Sequence, residues 1–231
     1  MVKLPINSIY RAHEGEGFHL GKPQVFVRLQ GCAIGCFNCD SKDTWDFNLG
    51  VLQSVSDIVY LIQKYREHDG IERVSITGGD PTHPKFDEGL VELVGELKKK
   101  NFFINIEASG TRVPALLFDL VDYISFDVKT PSTGVRLQEA VLSEFLKQYS
   151  HKGQIKSVIE NRNDFDFVLE LKKRLGSNFE NWILTPCYKT EEDFPAERFR
   201  SIIEWNYQAK SAFRVIGQQH KWIYGAKEKQ V

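Results

Sequence analysis

The chain alternates short apolar runs with segments whose apolar residues recur every three or four positions. The runs are Gln24–Leu29 (QVFVRL), Val74–Thr77 (VSIT), Phe102–Glu107 (FFINIE), Tyr123–Asp127 (YISFD), Gln154–Ile159 (QIKSVI), Trp182–Leu184 (WIL) and Phe213–Ile216 (FRVI). They predict strands, and their nearly continuous apolar or β-branched character predicts strands covered on both faces. Between them, Val55–Glu67 places Ile58, Leu61, Ile62 and Tyr65 at helical spacing, and Phe86–Lys100 does the same with Leu90, Leu93, Val94 and Leu97. Leu137–Tyr149, Phe165–Leu175 and Ala196–Lys210 continue the rhythm, with Asp57 and Asp164 as helix caps or first-turn acids.

This alternation predicts an α/β fold, a parallel sheet with right-handed crossovers. Six or seven units fall short of a complete eight-unit barrel and suit a partial barrel or an open, curled sheet. No linker, low-complexity stretch or repeat interrupts the 231 residues, so one domain over 1–231 is expected, with a polar and loose tail at about 223–231. A 42% hydrophobic and 26% charged composition suffices for a sizeable core. Thirty Lys and Arg against 31 Asp and Glu leave a net charge of −1, which argues against a chain whose main work is coating nucleic acid or an anionic membrane. No run approaches the roughly 20 apolar residues that span a bilayer. The start, MVKLPINSIYRAHEGEG, has no apolar signal region, so a cytoplasmic location is expected.

In parallel α/β folds the chemistry gathers at the carboxyl ends of strands. The unusual polar residues fall there: the cysteine loop after QVFVRL, Gly78-Gly79-Asp80-Pro81 after VSIT, Glu107, Asp127 with Lys129, Thr185-Pro186-Cys187, and Gln218 with His220. Cys32, Cys36 and Cys39 lie within eight residues, whereas Cys187 stands apart. Crowded thiols in a reducing compartment point to a metal rather than to disulfides. The C-x3-C-x2-C spacing suits a tight loop around a cubane iron–sulfur cluster, with three irons held and the fourth open for a ligand. A structural zinc would want four ligands, and the second cysteine pair is missing, although Cys187 or a histidine could complete it.

Cys32-Ala-Ile-Gly-Cys36-Phe-Asn-Cys39 resembles the signature of the radical S-adenosylmethionine (SAM) enzymes, and Gly78-Gly79-Asp80-Pro81 resembles their GGE/D-P motif. That family folds as a partial (β/α)6 barrel. Its open iron binds the amino and carboxylate groups of SAM, and one electron from the reduced cluster breaks the C–S bond to give a 5′-deoxyadenosyl radical. The resemblance narrows further. Glu14-Gly15-Glu16-Gly17, Phe26-Val27-Arg28-Leu29-Gln30-Gly31-Cys32, Cys39-Asp40-Ser41-Lys42-Asp43-Thr44-Trp45, Ile106-Glu107-Ala108-Ser109-Gly110-Thr111 and Gln218-x-His220-Lys221 are similar, in order, to the 7-carboxy-7-deazaguanine synthases.

Members of that family are lyases that convert 6-carboxy-5,6,7,8-tetrahydropterin to 7-carboxy-7-deazaguanine with loss of ammonia, toward queuosine or archaeosine in RNA. The resemblance implies a [4Fe-4S] cluster on Cys32, Cys36 and Cys39, SAM, and Mg2+ on Ser41. It implies SAM contacts at Asn38, Asp40, Gly79, Glu107, Ser125 and Lys129. It implies pterin contacts at His13, Glu14, Gly15, Glu16, Arg28, Thr77, Gln218 and His220. An electron donor of flavodoxin or ferredoxin type and a homodimer are implied as partners, with no direct nucleic acid or membrane contact. The residue chemistry agrees: Arg28 suits a carboxylate, Glu16 accepts paired N–H donors from the pterin edge, and His220 donates to a ring oxygen.

Several departures stand out. Glu14 replaces the family glutamine and is expected to add negative charge near the pterin. Asn38 stands where an aromatic residue is usual, with Phe37 beside it. Ser125-Phe-Asp-Val-Lys129 is two residues longer than the usual Ser-Pro-Lys and resembles the Asp-x-Lys of glycyl-radical activating enzymes. Some relatives place a terminal carboxylate at the substrate; Val231 is not expected to fill that role. Two rival readings follow from these features, a glycyl-radical activase and a non-enzymatic zinc-binding module.

Overall fold

Within each central strand, residues alternate between two faces of different character, and this sets where the core and the cavity lie. The computed structural model describes residues 2–189, 192 and 194–231. Its first two strands, β1 (Lys3–His13) and β2 (Pro23–Leu29), pair antiparallel, and β3 (Val51–Ser54) pairs antiparallel on the other edge of β1. From β2 onward the partners are parallel: β4 (Arg73–Gly78), β5 (Phe103–Ala108), β6 (Tyr123–Asp127), β7 (Gly153–Ile159), β8 (Trp182–Pro186) and β9 (Arg214–Val215). Helices α1 (Val55–Asp69), α2 (Asp87–Lys99), α3 (Ala115–Leu120), α4 (Glu139–Tyr149), α5 (Arg162–Leu175) and α6 (Ala196–Gln208) connect successive strands, and α7 (Gln219–Tyr224) follows β9. The nine-stranded order β3-β1-β2-β4-β5-β6-β7-β8-β9 leaves the sheet open among the described residues, as a partial barrel requires.

One face of the sheet carries Val25, Val27 and Leu29 of β2, Val74 and Ile76 of β4, Ile104 and Ile106 of β5, and Ile124 and Phe126 of β6. These pack in one cluster with Ile58 and Ile62 of α1, Leu90, Leu93 and Leu97 of α2, Phe145 of α4 and Phe165 of α5. Phe126 and Phe145 stack with ring centroids 4.3 Å apart. The alternate positions form a polar inner face. Asn105 Nδ2 donates to Ser75 Oγ (2.8 Å) and to Glu107 Oε1 (3.0 Å), and Gln154 Nε2 donates to Ser125 Oγ (2.8 Å). Both faces of these strands are covered, as expected, but only one is apolar. Helices cover one face, and small or polar side chains line the other, paired because a buried polar group without a partner is costly.

Four elements were not anticipated. Strand β1 contains Pro5 and has a register irregularity between Ile6 and Ser8, both of which blur its alternation. β3, α3 and α7 are too short to show a period. The caps are Ser54, whose Oγ accepts from the Asp57 N–H, and Asn161, whose Oδ1 accepts from the Asp164 N–H, so Asp57 and Asp164 are first-turn acids. Among the described residues, no helix is long and apolar enough to cross a membrane.

Candidate active site

The cysteine loop runs from the end of β2 and is fastened at its base. The Gly31 N–H donates to Thr44 O (2.7 Å) and the Cys32 N–H to Trp45 O (3.1 Å). Buried Gln30 donates to Asp43 O and Asp46 O and accepts from Asn7 Nδ2. The Gly78-Gly79-Asp80 segment lies directly beneath: Gly79 N–H donates to Leu29 O and Asp80 N–H to Gly31 O. A Cβ at Gly79 would collide with the Gly31 carbonyl, so this position requires glycine for close approach.

Cys32, Cys36 and Cys39 are unpaired, half-buried, and line one cavity of about 250 Å3. Burial raises the Cys32 and Cys36 thiols; the neighbouring cysteines add to this at both, and Lys129 opposes it at Cys36. Crowded thiols that resist ionisation are stabilised as thiolates by binding metal. Among the described residues, no three His, Cys, Asp or Glu side chains converge closely enough to ligate a single ion. Three thiols at one cavity, with no fourth cysteine in their motif, fit a cluster that keeps one iron open. Cys187 is buried in an adjoining cavity shared with Cys36 and Cys39. Burial, with the Glu160 charge, pushes its thiol up to about 11.

The other wall is built from carboxylates. The loop after β1 enters at the start of β2, where Glu14 N–H donates to Lys22 O and Gly21 N–H to Glu14 O. Gln219 N–H donates to Gly15 O, and the His220 ring packs so closely that a Cβ at Gly15 would strike it. Glu14 Oε2 accepts from Gln24 Nε2 at 2.7 Å. Burial, then the Glu107 charge, push the Glu14 carboxyl up to about 8 against that hydrogen bond. Near neutrality Glu14 thus keeps its proton and offers one donor and one acceptor, as a glutamine does. That shift opposes the negative charge expected from replacing glutamine at this position.

Glu16 is half-buried, and Lys156 Nζ lies 2.6 Å from its Oε1. Burial pushes Glu16 up, and the Lys156 charge and hydrogen bond outweigh it, leaving the carboxyl below its ordinary value. Glu16 Oε2 has no partner among the described residues. Lys156 also lies 3.6 Å from Glu107 Oε2. Burial lowers His220 despite the nearby Glu16 charge, so its ring is neutral near pH 7.

Arg28, at the end of β2, donates to Tyr10 OH (3.2 Å) and Ser41 Oγ (3.4 Å). Ser41 Oγ donates to Asp40 Oδ1 (3.0 Å), and Asp40 Oδ2 is held by Lys221 at 2.8 Å. Burial would raise Asp40, but Lys221, Ser41 and Arg28 hold it well below the usual carboxylate range. A hydroxyl beside an ionised carboxylate is a set of hard oxygen donors that fits Mg2+.

His13, Glu14, Gly15, Glu16, Arg28, Asp40, Ser41, Thr77, Gly79, Glu107, Lys129, Gln218 and His220 all line the cavity with the three cysteines. Asn38 lines the adjoining cavity, and its Nδ2 has no partner among the described residues. Ser125 is not at either wall: it is buried under the inner face with its hydroxyl engaged by Gln154. Val231 lines the cavity near Arg28 and His220, contrary to expectation, and Lys229 pairs with Asp43 at 2.6 Å in the tail. Sequence reasoning missed Tyr10, Trp45 and Lys156 as lining residues. The period-two face shared by Gln154 and Lys156 was the available signal.

The profile of the radical SAM superfamily matches residues 26–201. Over 224 residues the chain is 32% identical to a 7-carboxy-7-deazaguanine synthase of Pyrobaculum aerophilum, covering 96% of each protein. It is 31% identical over 241 residues to the synthase of Escherichia coli K12, covering 96% of this chain and 99% of the relative. The crystal structure of QueE from Escherichia coli superposes with a TM-score of 0.69 at 25% identity, covering 94% of this chain and 95% of that one.

Proposed function

This chain belongs to the radical SAM superfamily and, within it, to the 7-carboxy-7-deazaguanine synthases, and from that premise we propose how its cavity divides the work. The chain is a carbon–nitrogen lyase that converts 6-carboxy-5,6,7,8-tetrahydropterin to 7-carboxy-7-deazaguanine with loss of ammonia, in 7-deazapurine biosynthesis. Its superfamily works with a [4Fe-4S] cluster and SAM. When bound, the cluster supplies the electron that cleaves SAM and starts the radical chemistry.

Cys32, Cys36 and Cys39 hold the cluster, and Gly79 lets the backbone approach the methionine end of SAM. Glu107 accepts from the ribose hydroxyls, while Lys129, held by Asp127, offers a cation to the methionine carboxylate. Asn38 and Asp40 border the same cofactor, and Ser125 supports it from beneath through Gln154. At the pterin, Glu16 accepts from the amino-pyrimidinone edge through its unpartnered oxygen, and protonated Glu14 donates beside it. Arg28 meets the pterin carboxylate, and Ser41 beside it would hold Mg2+, which would supply a second positive charge for that anion. Neutral His220 donates to a ring oxygen, and His13, Gly15, Thr77 and Gln218 complete the walls. A flavodoxin- or ferredoxin-type donor supplies electrons, and the enzyme acts as a homodimer in the cytoplasm.

The observation that carries this reading is the convergence of three thiols, the Gly78-Gly79 turn and the Glu14–Glu16–Arg28 set on one cavity. Oxygen-free, cluster-loaded protein given SAM, a reductant and the carboxytetrahydropterin should release ammonia and a 7-deazaguanine chromophore in equal amounts. Cleavage of SAM with neither product would overturn it.

A further inference from the structure

Lys156 sits on the polar inner face of β7 with its side chain only 12% exposed, and no motif pointed to it. A buried ammonium is costly unless opposite charges hold it. Here two carboxylates on different elements do so: Glu16 of the β1–β2 loop at 2.6 Å and Glu107 of β5 at 3.6 Å. Those two residues belong to opposite ends of the proposed reaction complex, the pterin edge and the SAM ribose. A lysine suits this place better than an arginine, because a compact ammonium on a flexible stem can serve two acceptors at unequal distances.

We propose that Lys156 is a positioning residue which fixes Glu16 as an acceptor for the pterin edge and shares its charge with Glu107 on the cofactor side. The inference rests on the pterin reading above. With Oε1 bound to Lys156, Glu16 keeps Oε2 buried and without a partner among the described residues, on a residue that lines the cavity. The groups facing this ammonium and Glu16 are Glu14 of the same loop, Asp40 of the cysteine loop, Glu107 of β5, Asp127 of β6 with Lys129 just beyond it, and His220 of α7. Glu16 depends most directly on Lys156: burial raises its carboxyl and the lysine supplies the largest opposing effect. Removing the ammonium takes away the largest effect opposing burial, which raises the Glu16 carboxyl. A protonated carboxyl would then meet the pterin N–H donors with a donor of its own.

The test is calorimetric titration of cluster-loaded, SAM-bound enzyme with 6-carboxypterin, the aromatic and redox-inert relative of the substrate. Lys156→Met should weaken binding at least about tenfold near pH 6, with the ratio to wild type narrowing toward about pH 9 as Glu16 regains its charge. Glu14 also feels the Lys156 charge, so the comparison is made in a Glu14→Gln background, which removes that second titration. Lys156→Arg should restore a nearly pH-independent ratio. Adding Glu16→Gln to Lys156→Met should cost nothing further near pH 6 and should abolish the recovery toward pH 9. If the Met variant does not fold, Lys156→Gln takes its place. A ratio of one, or a loss of the same size at every pH, overturns the inference while leaving the pterin reading intact. Wild-type protein that takes up no carboxypterin brings down that reading and the inference with it.

Discussion

Glu14 is buried with Glu16 and Glu107 nearby, and this crowding makes its proton part of the folded state. Its value rises from 4.5 in the unfolded chain to about 8. Between those values the folded protein binds the extra proton, so the Glu14 contribution to stability is full below about 4.5 and is lost as pH rises through about 8. Glu14→Gln keeps the shape and the acceptor for Gln24 but cannot titrate. Its thermal midpoint relative to wild type should climb across that window and level off above it. A difference that stays constant with pH would show that Glu14 is not the titrating group. The strand-end rule made Glu107, Lys129 and the cysteines legible in the sequence, and the family resemblance added Arg28. It could not reveal the state of Glu14, because protonation depends on burial and on neighbours brought from β5 and β7. Lys156 was obscured by its apolar neighbours in QIKSVI, which read as core.

At the level of elements, α5 is joined to the cluster loop through one carboxylate. Asp164 in its first turn is fully buried and accepts from Ser132 N–H (3.0 Å) and Glu160 N–H (2.9 Å). Ser132 belongs to the short 3-10 turn Pro131–Thr133, whose Thr133 carbonyl accepts from Phe37 N–H at 3.0 Å. Phe37 lies between Cys36 and Cys39, and its ring covers Gly134, so this turn is a platform for the cluster loop. Asp164→Ala orphans two backbone donors and should cost about 3 kcal/mol. For a chain of this length that is a drop of about 6–10 °C in midpoint. Asp164→Asn, which keeps one acceptor, should lose about half as much. Iron retention after anaerobic desalting should fall in the same order; equal retention in all three proteins would break the proposed connection. Asp164 was legible as a helix-start residue, but its partners were not, because they come from separate loops. The strand order from β4 to β8 followed from the alternation of apolar runs and helical spacing. The antiparallel β3-β1-β2 end did not, since parallel βα units carry a repeating signal, whereas a proline-bearing strand with a register irregularity and a four-residue edge strand do not.

Across the whole molecule, the sheet divides stability from chemistry. The apolar cluster lies between the sheet and its helices, and the cysteines do not belong to it. The inner face carries Ser75, Asn105, Glu107, Ser125, Gln154 and Lys156, which hydrogen-bond one another but add little apolar burial. Deleting one cluster thiol should therefore remove the chemistry without removing the fold. Cys36 is half-buried on a loop, and its side chain makes no contact that the core depends on. In Cys36→Ala the far-ultraviolet circular dichroism and the melting curve should match those of wild-type protein stripped of iron, within about 1 kcal/mol. The visible absorbance of the cluster, SAM cleavage and deazaguanine formation should all be lost. A large fall in stability relative to the iron-free wild type would place Cys36 in the core and contradict this division. Full activity would mean that the cluster is held elsewhere.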